Sequence, residues 1–146
     1  MEMTRWIVIW VLTVLLVATQ AGAEMVVIVN KANPVSQISA IKLAQYYRGE
    51  LALWGEGTKV IPVDLSERDP LAVRFTETIL KMNMQTKQQM WTAKLLAGKG
   101  SPPMQYKDEA AVVSFVASEP GAIGYVSKGS VNDSVKVLTV DGKKEF

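Results

Sequence analysis

Residues 25–29 read Met-Val-Val-Ile-Val, an unbroken run with β-branched side chains at four of its five positions. A strand alternates its side chains between two faces, so a run that is apolar throughout must be covered on both sides. That requirement excludes an open one-sided sheet and points to a central strand of a mainly parallel sheet with helices above and below. The rest of the chain supplies the helices. The segment 37–48 carries Ala40, Leu43, Ala44 and Tyr47 at helical spacing, with Ser36 as its expected N-cap and Gly49 at the position of a C-terminal glycine. Further helices are expected over 70–81, 86–97 and 107–118. The third of these four would open on a capping box of Thr86 and Gln89, and the last carries acidic residues in its first turn.

Strands are expected at 59–63, 122–126 and 135–140, and the stretch 98–106 reads as a loop with Pro102-Pro103. Pro62 cannot donate to a ladder, so its strand either ends there or has an unpaired donor side. Gly124 inside a strand predicts a close approach by a neighbouring backbone. Trp54, beside the glycines at 55 and 57, reads as a packing residue. The expected architecture is α/β in three layers, a small mainly parallel sheet flanked by helices. One domain over 24–146 accounts for it.

The N-terminus has the pattern of an export signal. Arg5 precedes an apolar and threonine run from Trp6 to Ala18, and Ala21-Gly22-Ala23 supplies a small-x-small cleavage site. A retained membrane anchor is the alternative, but the run is shorter than the ~20 residues of a span. The reading is a signal peptide over 1–23, cleaved to leave a periplasmic or secreted protein. The chain has neither cysteine nor histidine. It therefore cannot be a lipoprotein, has no disulfide, and excludes Ser-His-Asp and Cys-His catalysis and zinc sites built on imidazole or thiolate. No catalytic set, metal site or cofactor is expected. A net charge of +2 without a basic run interleaved with aromatics gives no reason to expect nucleic acid.

Two turns are candidate ligand sites. One follows the first strand and contains Asn30, Asn33 and Ser36. The other follows the strand at 59–63 and contains Ser66 and Arg68, with Arg74 one turn into the next helix. In open α/β sheets ligands gather at strand carboxyl ends, where a helix N-terminus can offer backbone donors to an anion. Ordinary capping is the structural alternative for both turns. Asp64, Glu67 and Asp69 are too few, and lack the glycine, for a calcium loop. Gly98-Lys99-Gly100-Ser101 lacks the spacing of a phosphate loop.

The segment 38–49, Leu-Trp-Gly-Glu-Gly at 53–57, the strand at 60–63, the helix with Phe75 and Pro-Gly-Ala-Ile-Gly-Tyr-Val at 120–126 together resemble the phosphate ABC-importer substrate-binding proteins. The closer resemblance is to small, single-lobe members of that type II periplasmic binding protein-like superfamily. The resemblance implies a solute-binding, transport-related protein, with a small oxyanion such as phosphate as ligand. It also implies an ABC permease or other envelope protein as partner, and a homodimer or partner chain to supply a second wall. In that family the turn after the second strand presents an arginine and a Ser-Gly-Thr run to the anion. Here Asp69-Pro70-Leu71 stands in its place. An ionised Asp69 at the N-cap would take the helix amides that phosphate needs, so the resemblance also implies an alternative, an interaction module that no longer binds a ligand.

Overall fold

The computed structural model describes residues 24–146, so the expected signal peptide over 1–23 lies outside the described residues. Strand β1 (Met25–Asn30) is buried at all six positions, as its composition demands. It is followed by β2 (Gln37–Ile38), α1 (Ala40–Tyr47), β3 (Ile61–Leu65) and α2 (Pro70–Phe75). Then come α3 (Met84–Leu96), β4 (Met104–Tyr106), α4 (Glu109–Ser118), β5 (Ala122–Ser127) and β6 (Val135–Val140). The six strands form one sheet in the order β2-β6-β1-β5-β3-β4. Three of its five pairings are parallel. The two antiparallel pairings both belong to β1, which runs against β5 and β6.

Helices cover both faces. On β5 the side chains alternate, so Gly124 and Tyr125 look opposite ways. A Cβ at Gly124 would lie 2.7 Å from Val112 and 3.3 Å from Val116, which places α4 on that face. Tyr125 stacks on Phe75 of α2 at 4.0 Å and meets Tyr47 of α1 edge-on at 6.0 Å, which places those helices on the other. The close approach expected at Gly124 is thus made by valine side chains of α4 and not by another backbone.

Several boundaries differ from expectation. Ser36 caps no helix: Gln37 and Ile38 pair in parallel with Thr139 and Val140 as a two-residue edge strand, and Ser39 is the N-cap of α1. Hydrogen bonding to β6 captures the residues that periodicity alone assigns to the helix. Asn83, not Thr86, caps α3, its side chain accepting from the Thr86 amide at 2.8 Å. The helix expected over 70–81 runs from Pro70 to Leu80, but its second half, Thr76–Leu80, widens into a π turn and stops at Lys81 in the left-handed conformation. Within the loop expected at 98–106, Met104–Tyr106 joins the sheet beside β3. Trp54 is a packing residue, 2% exposed, its indole donating to the Gly121 carbonyl at 3.0 Å.

Pro62 sits inside β3. Ile61 donates to Gly121 on the β5 side at 2.9 Å, so alternation turns Pro62 towards the other edge, where β4 begins only opposite Val63. The missing donor falls where no strand needs it.

Candidate functional site

Because β1 is antiparallel to β5 while β3 is parallel to it, the carboxyl ends of β1 and β3 lie at opposite ends of the sheet's strands. For strands of this length that separates the two candidate turns by roughly 20 Å. Asn33 and Ser36 therefore share no site with Ser66, Arg68 and Arg74.

The turn after β1 is built for structure. Asn30 donates to the Val116 and Ala117 carbonyls at 2.9 and 3.0 Å, closing the last turn of α4. Asn33 is buried. Its side-chain oxygen accepts from the Val35 amide at 2.9 Å and its carbonyl accepts from Lys136, while its side-chain nitrogen has no hydrogen-bond partner. Ser36 is exposed and accepts from the Thr139 amide through its carbonyl at 3.0 Å.

The turn after β3 has the layout of a strand-end site: an apolar strand, a polar turn at 66–69 and a helix starting on Pro70. Several of its backbone donors are already engaged. Asp69 is the N-cap of α2, its carboxylate accepting from the Leu71 amide at 2.9 Å, with Pro70 at the first helical position. The Ser66 amide donates to Tyr106 on β4 at 3.0 Å, and the Asp69 amide to the Ser66 carbonyl at 2.8 Å. Glu67 lies over the turn and accepts from Gln88 at 2.6 Å and Gln105 at 3.5 Å. Arg68 is exposed, and Arg74 turns away to donate to the carbonyl of Phe146.

Beneath the turn lies a group that composition and motif did not reveal. Asp64, 1% exposed, forms an ion pair with Lys87, 4% exposed, from the first half of α3. The other carboxylate oxygen accepts from the Tyr125 hydroxyl and, at 2.9 Å, from the Leu65 amide. Charges this deep are tolerated only when paired and hydrogen-bonded, and here a carboxylate collects three donors. Burial, followed by the negative charge of Asp64, raises the ionisation of both Tyr47 and Tyr125 well above the ordinary tyrosine range. Both stay neutral donors: Tyr125 to Asp64, Tyr47 to the Val63 and Ile123 carbonyls at 2.8 and 3.2 Å. A small cavity of about 190 Å³ above the pair is walled by Glu67, Gln88, Trp91 and Pro102. The signal that could have exposed this group is Asp64 itself, a carboxylate flanked by Val63 and Leu65 in an apolar strand.

Among the described residues no group of three acidic or other metal-ligating side chains is arranged to hold a metal. The carboxylates of Asp64 and Asp69 are instead bound to different donors of the protein.

The same arrangement of strands and helices occurs in phosphate-binding proteins of known structure. The phosphate ABC transporter substrate-binding protein from Clostridium perfringens, solved with bound phosphate, superimposes with a TM-score of 0.68 at 21% identity. The match covers 83% of this chain and 46% of that one. The fold is that of one binding-protein lobe. An ABC-type phosphate transport receptor from Vibrio cholerae matches at 0.65 and 19% identity, over 82% of this chain and 46% of that one. PstS from Borrelia burgdorferi matches at 0.64 and 13% identity, over 83% and 48%. The chain thus spans just under half the length of the structures it matches. No protein-family model matches the sequence. Among the described residues of this lobe no helix is long and apolar enough to cross a membrane.

Proposed function

We propose that this protein is an exported, non-enzymatic binding-protein lobe that acts by docking to an envelope partner, and that its strand-end turn does not capture phosphate. The observation that carries the reading is the state of that turn. Asp64, Glu67 and Asp69 place three carboxylates at the carboxyl end of β3, and two of them hold the donors an anion would need: the Lys87 ammonium and the first free amide of α2. An incoming phosphate would have to displace these contacts and would meet repulsion of ~1 kcal/mol or more from each close carboxylate, even at high dielectric. A signal peptide over 1–23 would deliver the protein to the periplasm, where an ABC permease is one candidate partner.

A second reading keeps phosphate as the ligand, with transport as the role. It is favoured by the exposed Arg68 on the turn and by the phosphate held in the Clostridium perfringens structure. A single lobe offers one wall, so this reading needs a homodimer or a permease to close the site. A thermal-shift series on the purified protein with phosphate, sulfate and arsenate decides between them. Docking without capture predicts an unchanged midpoint with each. Saturating phosphate would otherwise add ~2.7 kcal/mol at 100 times its Kd, and a shift of that size abolished by Arg68→Ala would establish the second reading.

A further inference from the structure

A larger cavity lies away from the turn, along the other half of β3. Strand β4 pairs with β3 only from Val63 onwards and the Val60 amide donates to the Ala52 carbonyl at 2.8 Å, so the edge at Ile61 and Pro62 is left without a neighbouring strand. An open groove of about 620 Å³ occupies that space, within the size range of small-molecule sites. Its walls come from both faces of the sheet: Tyr46 from one side and Phe115 from the other, with Val60, Trp91 and Met104 also in the lining. Met104 is 61% exposed there and Leu51, also in the lining, 37%. Exposed apolar side chains gathered at a concave surface point to an apolar occupant.

The polar groups of the groove narrow its chemistry. Among the described residues, Lys59 and Lys99 are the charged ones in its lining. Glu50, at the edge of the neighbouring loop, is engaged with Arg48 at 3.5 Å. The Trp91 indole N–H is buried without a hydrogen-bond partner and is not exposed to the groove. The backbone argues against an extended peptide. Pro62 removes the donor that strand addition at this edge would use, as prolines on edge strands do. An occupant must then be held by side chains, an apolar body against the aromatic walls and an anionic head at the lysines.

We infer that this groove is a binding site for a small amphipathic anion, of the class of a medium-chain carboxylate. The site is independent of the turn after β3 and of whether that turn takes phosphate. Calorimetric titration of the purified protein with dodecanoate, below its aggregation concentration, tests it, with dodecanol and inorganic phosphate as comparison probes. One saturable site for dodecanoate is expected, with dodecanol weaker and phosphate not competing. Lys59→Gln with Lys99→Gln should weaken dodecanoate by roughly 2- to 10-fold, the reach of two solvent-exposed charge contacts. Ala52→Trp places a bulky ring in the groove from an exposed position, and Ser101→Trp does so from the opposite lip. Either should cost at least ~10-fold in affinity while the melting temperature of the unliganded protein holds. Absence of saturable dodecanoate binding would overturn the inference. So would binding that neither tryptophan variant weakens, or dodecanol binding as tightly as dodecanoate.

Discussion

Asp64 is the residue on which the account turns. Its carboxylate is buried and anchored by Lys87, Tyr125 and the Leu65 amide. Removing one partner of such a pair strands a buried charge, so Lys87→Met should lower the unfolding free energy by about 3–5 kcal/mol in urea denaturation. Adding Asp64→Asn removes the stranded charge and keeps an acceptor for Leu65 and Tyr125. The double variant should recover more than half of that loss, the coupling a double-mutant cycle reads. The buried tyrosines predict a pH effect at the same scale. Tyr47 and Tyr125 ionise higher in the folded state than in the unfolded chain, where tyrosine titrates near ~10. Below that pH both states hold the protons and the full stability is present. Above it the unfolded chain releases them first, so stability falls as pH rises. Urea denaturation between pH 9 and 11 should show a negative slope, and Tyr47→Phe should reduce the total fall across that interval by about 1.4 kcal/mol. This residue-level core was only half legible in the sequence. Asp64 stands out inside its apolar strand, but Lys87 is one lysine on a helix of weak apolar periodicity, and only the fold brings it across 23 positions to its partner.

At the scale of elements, what is local was legible and what depends on pairing was not. Asp69 and Pro70 announce the start of α2 because a cap and a preset φ act within three residues. Asp69→Ala should cost about 1 kcal/mol by thermal or urea denaturation. The two-residue strand that displaces Ser36 from its expected cap exists because of β6, a hundred residues later, and no periodicity reports it. Short β4 joins the sheet in the same way. Two glycines of β5 and its approach set how closely elements pack. A methyl at Gly124 would press on three valine side chains at 2.7–3.3 Å, and Gly124→Ala should cost about 1–3 kcal/mol as α4 shifts. At Gly121 the obstacle is backbone, the Lys59 carbonyl at 2.1 Å, and the same carbonyl-lined corner anchors Ile61 and Trp54 through the Gly121 oxygen. Gly121→Ala should therefore destabilise more than Gly124→Ala, a ranking that paired urea melts would check.

At the scale of the molecule, a buried central strand, helices on both faces and the Pro-Gly-Ala-Ile-Gly-Tyr-Val segment led to the fold, because burial on two faces leaves few architectures. The sequence did not reveal that the two candidate turns open at opposite ends of the sheet, since strand direction is a property of the assembled sheet and not of any one segment. With Asn33 and Ser36 removed from the neighbourhood of Arg68, the turn after β3 must stand alone as a ligand site, and its own carboxylates occupy it. The most direct test watches the backbone amides of residues 65–71 by two-dimensional nitrogen-15 correlation NMR while phosphate is titrated into the purified protein. Amides held by Tyr106, Ser66 and Asp69 should keep their positions through millimolar phosphate, moving no more than with equal ionic strength of chloride. A saturable displacement of the Leu65 and Leu71 amides would mean that phosphate takes the place assigned to the protein's own carboxylates, and would contradict the account.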